Sequence, residues 1–184
     1  LFFATHLNIQ NKFLFLSDNT PEYKLTNNDF GNKNNLVGFL PAKQKFYKMP
    51  ENYLKCCIVR DPVKRFISAY NNRILFHKDI GFSNHSIDDI LDKLDLNQYE
   101  NNHFLPQSFF LGNDLNYYDF YSDVENIFKF EKKVNNFFQK KIVFPKIQTG
   151  GNNYKSKLSD LQVDRLKKIY KNDYFLLQSY KQKT

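Results

Sequence analysis

Apolar positions along the chain change their period several times, and each change marks an element. Phe2, Phe3 and Leu7 share a face if residues 1–9 are helical, and that pattern stops around Asn8 to Asn11. KFLFL (12–16) and LVGFL (36–40), the latter interrupted by Gly38, read as strands. LKCCIV (54–59) is short, apolar and followed at once by Arg60-Asp61-Pro62, the pattern of a buried strand. Asp61 and Pro62 then suit the N-cap and first position of a helix in which Val63, Phe66, Ile67, Tyr70 and Ile74 form one apolar stripe. Ser86 caps a second helix over IDDILDKLD, whose Asp88 and Asp89 complement the helix dipole. YYDFY (117–121) and NIFKF (126–130) read as short strands or strand ends, and VNNFF (134–138) as helix. Ser159 and Gln162 form a capping-box signature before LQVDRLKKIY. Strands alternating with helices predict an α/β domain on a mainly parallel sheet, with all of residues 1–184 in one domain.

Composition narrows this picture. The chain is 41% hydrophobic, with 20 Phe and 12 Tyr, which is too apolar for disorder. No apolar run reaches the roughly 18 residues of a membrane span. No basic leader or small-residue cleavage site marks the first residues as a signal peptide. Cys56 and Cys57 are neighbours in an extended run, so their side chains leave opposite faces and read as small buried hydrophobes rather than a disulfide. With no zinc pattern, a reducing compartment is the default, and the Asn/Lys-rich composition points to bacterial cytoplasm, with a Golgi lumen as the alternative. The net charge of +8 suits an anionic partner, although lysine also keeps a Phe-rich chain in solution.

Chemistry concentrates in KCCIVRDPVKRFISAYNNR (55–73). Arg60 stands directly after a strand, at the carboxyl edge where open α/β sheets bind ligands. The next helix aims its N-terminal amides at the same place, and Ser68 lies two turns along it. A guanidinium fork and a hydroxyl beside a helix start suit a phosphate; the plainer reading pairs Arg60 with a neighbouring carboxylate.

VRDPVKRFISAY resembles the 3′-phosphate-binding motif of the carbohydrate sulfotransferases that include the HNK-1 and chondroitin 4-O enzymes. Arg60, Asp61, Pro62, Arg65, Ser68, Ala69 and Tyr70 fall in register, with Phe66 where Leu is more usual. NHFLPQSFFLG (102–112) is similar to the family's His-aromatic-x-Pro-Gln element at His103, Phe104, Pro106 and Gln107. IFKFEKKVNNFF (127–138) resembles its aromatic-Glu strand end followed by a short helix. Residues 144–180 resemble its C-terminal pattern at Pro145, Tyr154, Leu158, Tyr170, Asp173, Tyr174 and Tyr180. The resemblance implies a P-loop-NTPase-like three-layer fold and a sulfuryl donor, 3′-phosphoadenosine 5′-phosphosulfate (PAPS). It also implies a glycan acceptor, no metal, and a 3′-phosphate held by Arg60 and Ser68 in the register that includes Arg65.

Sulfuryl transfer, like phosphoryl transfer, needs an anchored donor, charge stabilisation and removal of the acceptor's proton. The TGGNNYKSK loop (149–157), with Tyr154 and Lys155, can fold over the donor or can be a plain surface loop. His103 is the first candidate for the proton acceptor and Glu131 the second, each weighed against an ordinary packed or paired side chain. His6, His77 and His85 read as surface residues. Nothing in residues 1–53 matches the Pro-Lys-x-Gly/Ala-Ser/Cys-Thr-Ser turn that holds the 5′-phosphosulfate in the family, and no Walker A pattern stands in for it. LFFATHLN resembles the helix that follows that turn, so the expectation is a chain that begins just after it. The competing functions are a non-catalytic nucleotide- or glycan-binding remnant and a basic nucleic-acid-binding module. The second calls for aromatics interleaved with lysine on an open sheet face, whereas these aromatics follow core spacing.

Overall fold

A computed structural model describes residues 13–14, 36–37, 55–99, 101–139, 141, 143 and 150–181. The expected helix over 1–9 lies outside them. So do most of the first two strands, of which β1 (Phe13–Leu14) and β2 (Leu36–Val37) pair in parallel. β3 (Cys56–Val59) pairs in parallel with β4 (Phe120–Asp123), Cys56 opposite Phe120 and Val59 opposite Asp123. Among the described residues the strands form two separate two-stranded parallel sheets beside many helices, in place of one expected larger sheet. Alternation along β3 buries Cys57 and Val59 and turns Cys56 and Ile58 outward, so the strand is buried on one face only. Both cysteines are free, as their opposite directions require.

α1 (Pro62–Ala69) begins as its sequence dictates: the Asp61 carboxylate accepts from the Lys64 N–H at 2.9 Å, and Pro62 occupies the first turn. The chain then widens into a π-helix, Tyr70–Phe76, closed by the His77 N–H donating to the Asn72 carbonyl at 2.9 Å. Phe66 and Ile74 anchor the stripe in the core, with Val63 and Tyr70 packed beside them. Ile67 leaves that stripe and lines a cleft instead.

α2 (Ile87–Asp95) and α5 (Asp160–Ile169) both start with capping boxes, Ser86 with Asp89 and Ser159 with Gln162. They bring Ile90, Leu91, Leu94 and Leu166 against Phe66, Ile74, Tyr99, Phe104 and Tyr170 to form the larger core. Phe104 meets Phe66 and Tyr99 edge-on, at centroid distances of 5.4 and 5.2 Å. A smaller core of Cys57, Val59, Leu115 and Leu176 joins the β3–β4 pair to α6 (Lys171–Lys181).

Residues 126–130 are not strand. Asp123 ends β4 by accepting from the Asn126 N–H at 2.6 Å, and α4 runs unbroken over Ile127–Phe138. Phe130 and Val134, four apart, are its buried residues, a helical period that the aromatic run FKF hides.

Candidate functional site

The parallel β3–β4 pair puts Arg60 and the residues after Asp123 at the same carboxyl edge. Arg60 is fixed there through its backbone. α3 (Gln107–Leu111) presents the Gln107 amide, whose oxygen accepts from the Arg60 N–H at 2.9 Å and whose nitrogen donates to the Arg60 carbonyl at 2.7 Å. Gln107 is itself held from α6. The wholly buried Asp173 carboxylate accepts from the Gln107 N–H at 2.7 Å and the Ser108 N–H at 2.8 Å. These two amides lie in the first turn of α3, where no neighbour in the helix can accept from them. A carboxylate 66 residues away in sequence supplies the cap.

Two clefts meet at Arg60 and Lys64. One, of about 360 Å³, is lined by Arg60, Lys64, Ile67, Ser68, Asn71, Asn72, Gly151 and Tyr154. Helical spacing explains the set, since Lys64, Ser68 and Asn71 recur on one side of α1 and its continuation. The turn Gly150–Asn153 closes over this face: the Tyr154 carbonyl accepts from Asn71 Nδ2 at 3.0 Å. Gly151 presses so near Asn72 that a Cβ there would stand 2.9 Å from its backbone nitrogen. The second cleft, of about 400 Å³, adds Asp61, Asp123, Glu125, Tyr174, Leu177 and Gln178 to Arg60 and Lys64.

Three buried polar atoms of the first cleft's lining residues have no hydrogen-bond partner among the described residues: Arg60 Nε, Asn71 Oδ1 and Asn72 Nδ2. Buried polar groups are nearly always paired, so these atoms mark the part of the cleft with unused hydrogen-bonding capacity: donors on Arg60 and Asn72 and an acceptor on Asn71.

The sequence-derived candidates divide. Arg60, Ser68 and Tyr154 line one cleft. Arg65 does not line either: one α-helical step of about 100° turns it from Lys64's face, and its Nη1 donates to the Leu105 carbonyl at 2.6 Å. Burial lowers the pKa of the Arg65 guanidinium, and Tyr170 and Asp173 oppose that shift, so this arginine ties α1 to the 105–107 segment. Lys155 is exposed and outside the lining of both clefts. His103 also lies outside them, in the short helical turn Asn102–Phe104. Burial first, then Arg73, lower its pKa, while Asp79 opposes them. Asp79 is held by a two-point ion pair with Arg73, at 2.6 and 2.8 Å, and accepts from Asn101 Nδ2 at 3.3 Å. Glu131 is a half-buried residue of α4 with an interaction of its own.

The family model described as the sulfotransferase family matches residues 5–181. The chain belongs to the sulfotransferase family. Membership places it among transferases of sulfuryl groups, and no curated protein or solved structure matches it.

Sequence reasoning missed several residues that line this sulfotransferase's clefts. Asn71 and Asn72 were within reach, three and four positions beyond Ser68 and so on its helical face. Glu125 was not, because its place beside Arg60 follows from the β3–β4 register, which no local pattern encodes. Among the described residues no group of three or more His, Cys, Asp or Glu side chains is arranged to hold a metal, and no helix is long and apolar enough to cross a membrane.

Proposed function

We propose that this sulfotransferase takes its sulfuryl group from PAPS and delivers it to a hydroxyl of a carbohydrate, with Arg60 and Ser68 holding the donor's 3′-phosphate. The carrying observation is the convergence of Arg60 and Ser68, from one motif, with the distant Tyr154 on one cleft whose buried polar atoms lack partners among the described residues. Arg60 supplies a fixed charge, Ser68 a hydroxyl donor, and the Asn71–Asn72 pair a donor and an acceptor for the ribose. The second cleft continues from Arg60 along Tyr174 and Leu177, an apolar wall against which a purine can lie. Both observed strand pairs are parallel and the clefts lie at a carboxyl edge, which supports a P-loop-like three-layer domain with a central parallel sheet.

PAPS carries its 3′-phosphate and its sulfuryl group on opposite sides of the ribose, so the proton acceptor belongs outside the phosphate cleft. His103 lies outside that cleft, and burial with Arg73 lowers its pKa and so favours the neutral imidazole, the form a proton acceptor needs. The net charge of +8 favours an acidic glycan as acceptor.

Calorimetric titration with adenosine 3′,5′-bisphosphate and with adenosine 5′-phosphate tests the donor site. The 3′-phosphate is expected to tighten binding at least tenfold, since one charge-assisted contact contributes about 1.5–3 kcal/mol. Equal affinities contradict the assignment. Transfer of label from [35S]PAPS to glycan acceptors then separates a working enzyme from a nucleotide-binding remnant.

A further inference from the structure

Lys64 occupies a position that the phosphate cleft alone does not explain. It lines both clefts, and its Nζ donates to Glu125 Oε1 at 3.1 Å across the gap between α1 and the end of β4. The three carboxylates of the second cleft are not equivalent. Asp61 caps α1 through the Lys64 N–H, and Asp123 is engaged by both the backbone and side-chain nitrogens of Asn126. Among the described residues, the ion partner of Glu125 is Lys64. Among the described residues the lining of the first cleft has no carboxylate, and its charged side chains are Arg60 and Lys64.

We propose that Lys64 is a movable phosphate ligand that exchanges Glu125 for the donor's 3′-phosphate, and that Glu125 thereby sets the affinity of the site. The exchange is cheap because the pair is exposed, with side chains 62% and 49% accessible, and such pairs stabilise little. Its geometry is short-range: Lys64 and Ser68 stand four residues apart on one helical face, so a rotamer change moves the ammonium from the Glu125 side towards the Ser68 hydroxyl. Arg60 differs in kind, since Gln107 clamps its backbone and its Nε is buried. The site thus pairs a fixed guanidinium with a mobile ammonium. This inference rests on the assignment of the first cleft to a 3′-phosphate.

The test is a double-mutant cycle read by calorimetric titration of adenosine 3′,5′-bisphosphate into wild type, Lys64→Met, Glu125→Gln and the double variant. Lys64→Met is expected to weaken binding about five- to tenfold. Glu125→Gln removes the competitor and is expected to tighten binding two- to fivefold. In the Lys64→Met background the Glu125→Gln change is expected to do nothing. A Glu125→Gln protein that binds more weakly, or equally well, overturns the exchange while leaving the nucleotide site intact. Affinity gained equally in the Lys64→Met background also overturns it, since Glu125 then acts by general repulsion. No binding to wild type removes the nucleotide site and this proposal with it. Circular dichroism of each variant confirms folding, which exposed side chains at these two positions should not disturb.

Discussion

Replacing Asp173 by Asn tests the support beneath Arg60. The carboxylate is wholly buried and accepts two backbone hydrogen bonds, at 2.7 and 2.8 Å, from the first turn of α3. Asparagine keeps one acceptor oxygen but sets an NH2 group against the second amide. One charge-assisted bond is lost, about 1.5–3 kcal/mol, and a buried donor is left unpaired, about 1–3 kcal/mol. The negative charge that supports Arg65 is also removed. The expected loss is about 3–5 kcal/mol, a large part of the roughly 5–15 kcal/mol that holds a domain together. Urea denaturation followed by circular dichroism at 222 nm measures it, a suitable probe because the chain has no tryptophan. A shift below about 1 kcal/mol at unchanged m-value would refute the claim that Asp173 caps α3. Because Gln107 clamps Arg60, the surviving folded protein should also bind nucleotide more weakly.

Three further outcomes are expected. Gly151→Ala forces a methyl group to within 2.9 Å of the Asn72 backbone, so it should cost about 1–3 kcal/mol by urea denaturation and weaken nucleotide binding; wild-type values for both contradict the close approach. Cys57 should resist iodoacetamide at pH 7.5 in the folded protein and react once urea unfolds it, because burial and the adjacent Cys56 push its thiol up to about 12; rapid native alkylation of Cys57 contradicts this. His103 has a folded pKa below its unfolded value, so the unfolded chain binds the extra proton: stability should fall as pH drops below about 6.5 and be unaffected above it. His103→Gln should remove part of that acid-side loss in urea midpoints compared at pH 7.5 and 5.5, and identical profiles contradict the lowered pKa.

Local signals were legible in the sequence where one segment determines its own structure. The Asp61-Pro62 start, the Ser86 cap, the Ser159–Gln162 capping box and the β3 run depend on residues within a few positions, and the structure places them as the sequence indicates. The cleft-lining side of α1 was within reach for the same reason, since helical spacing alone aligns Lys64 and Asn71 with Ser68, yet only Ser68 was singled out. Long-range partnerships were not. Aromatic residues in 126–130 suit a strand as well as a helix, and only the Asp123 turn and the burial of Phe130 and Val134 decide for helix. Arg65 belongs to the motif by register yet turns to the Leu105 carbonyl, a partner 40 residues distant. Glu125 and Asp173 act across separations of 61 and 66 residues, where pairing register and packing, not spacing, set the contact.

Whether Arg60 and Ser68 hold a 3′-phosphate is read from the affinity ratio between adenosine 3′,5′-bisphosphate and adenosine 5′-phosphate in wild type and Arg60→Ala. Arg60→Ala is expected to lower affinity for the bisphosphate about 10- to 100-fold while barely changing that for the 5′-phosphate, so the ratio collapses. An unchanged ratio in a folded Arg60→Ala protein would contradict that assignment.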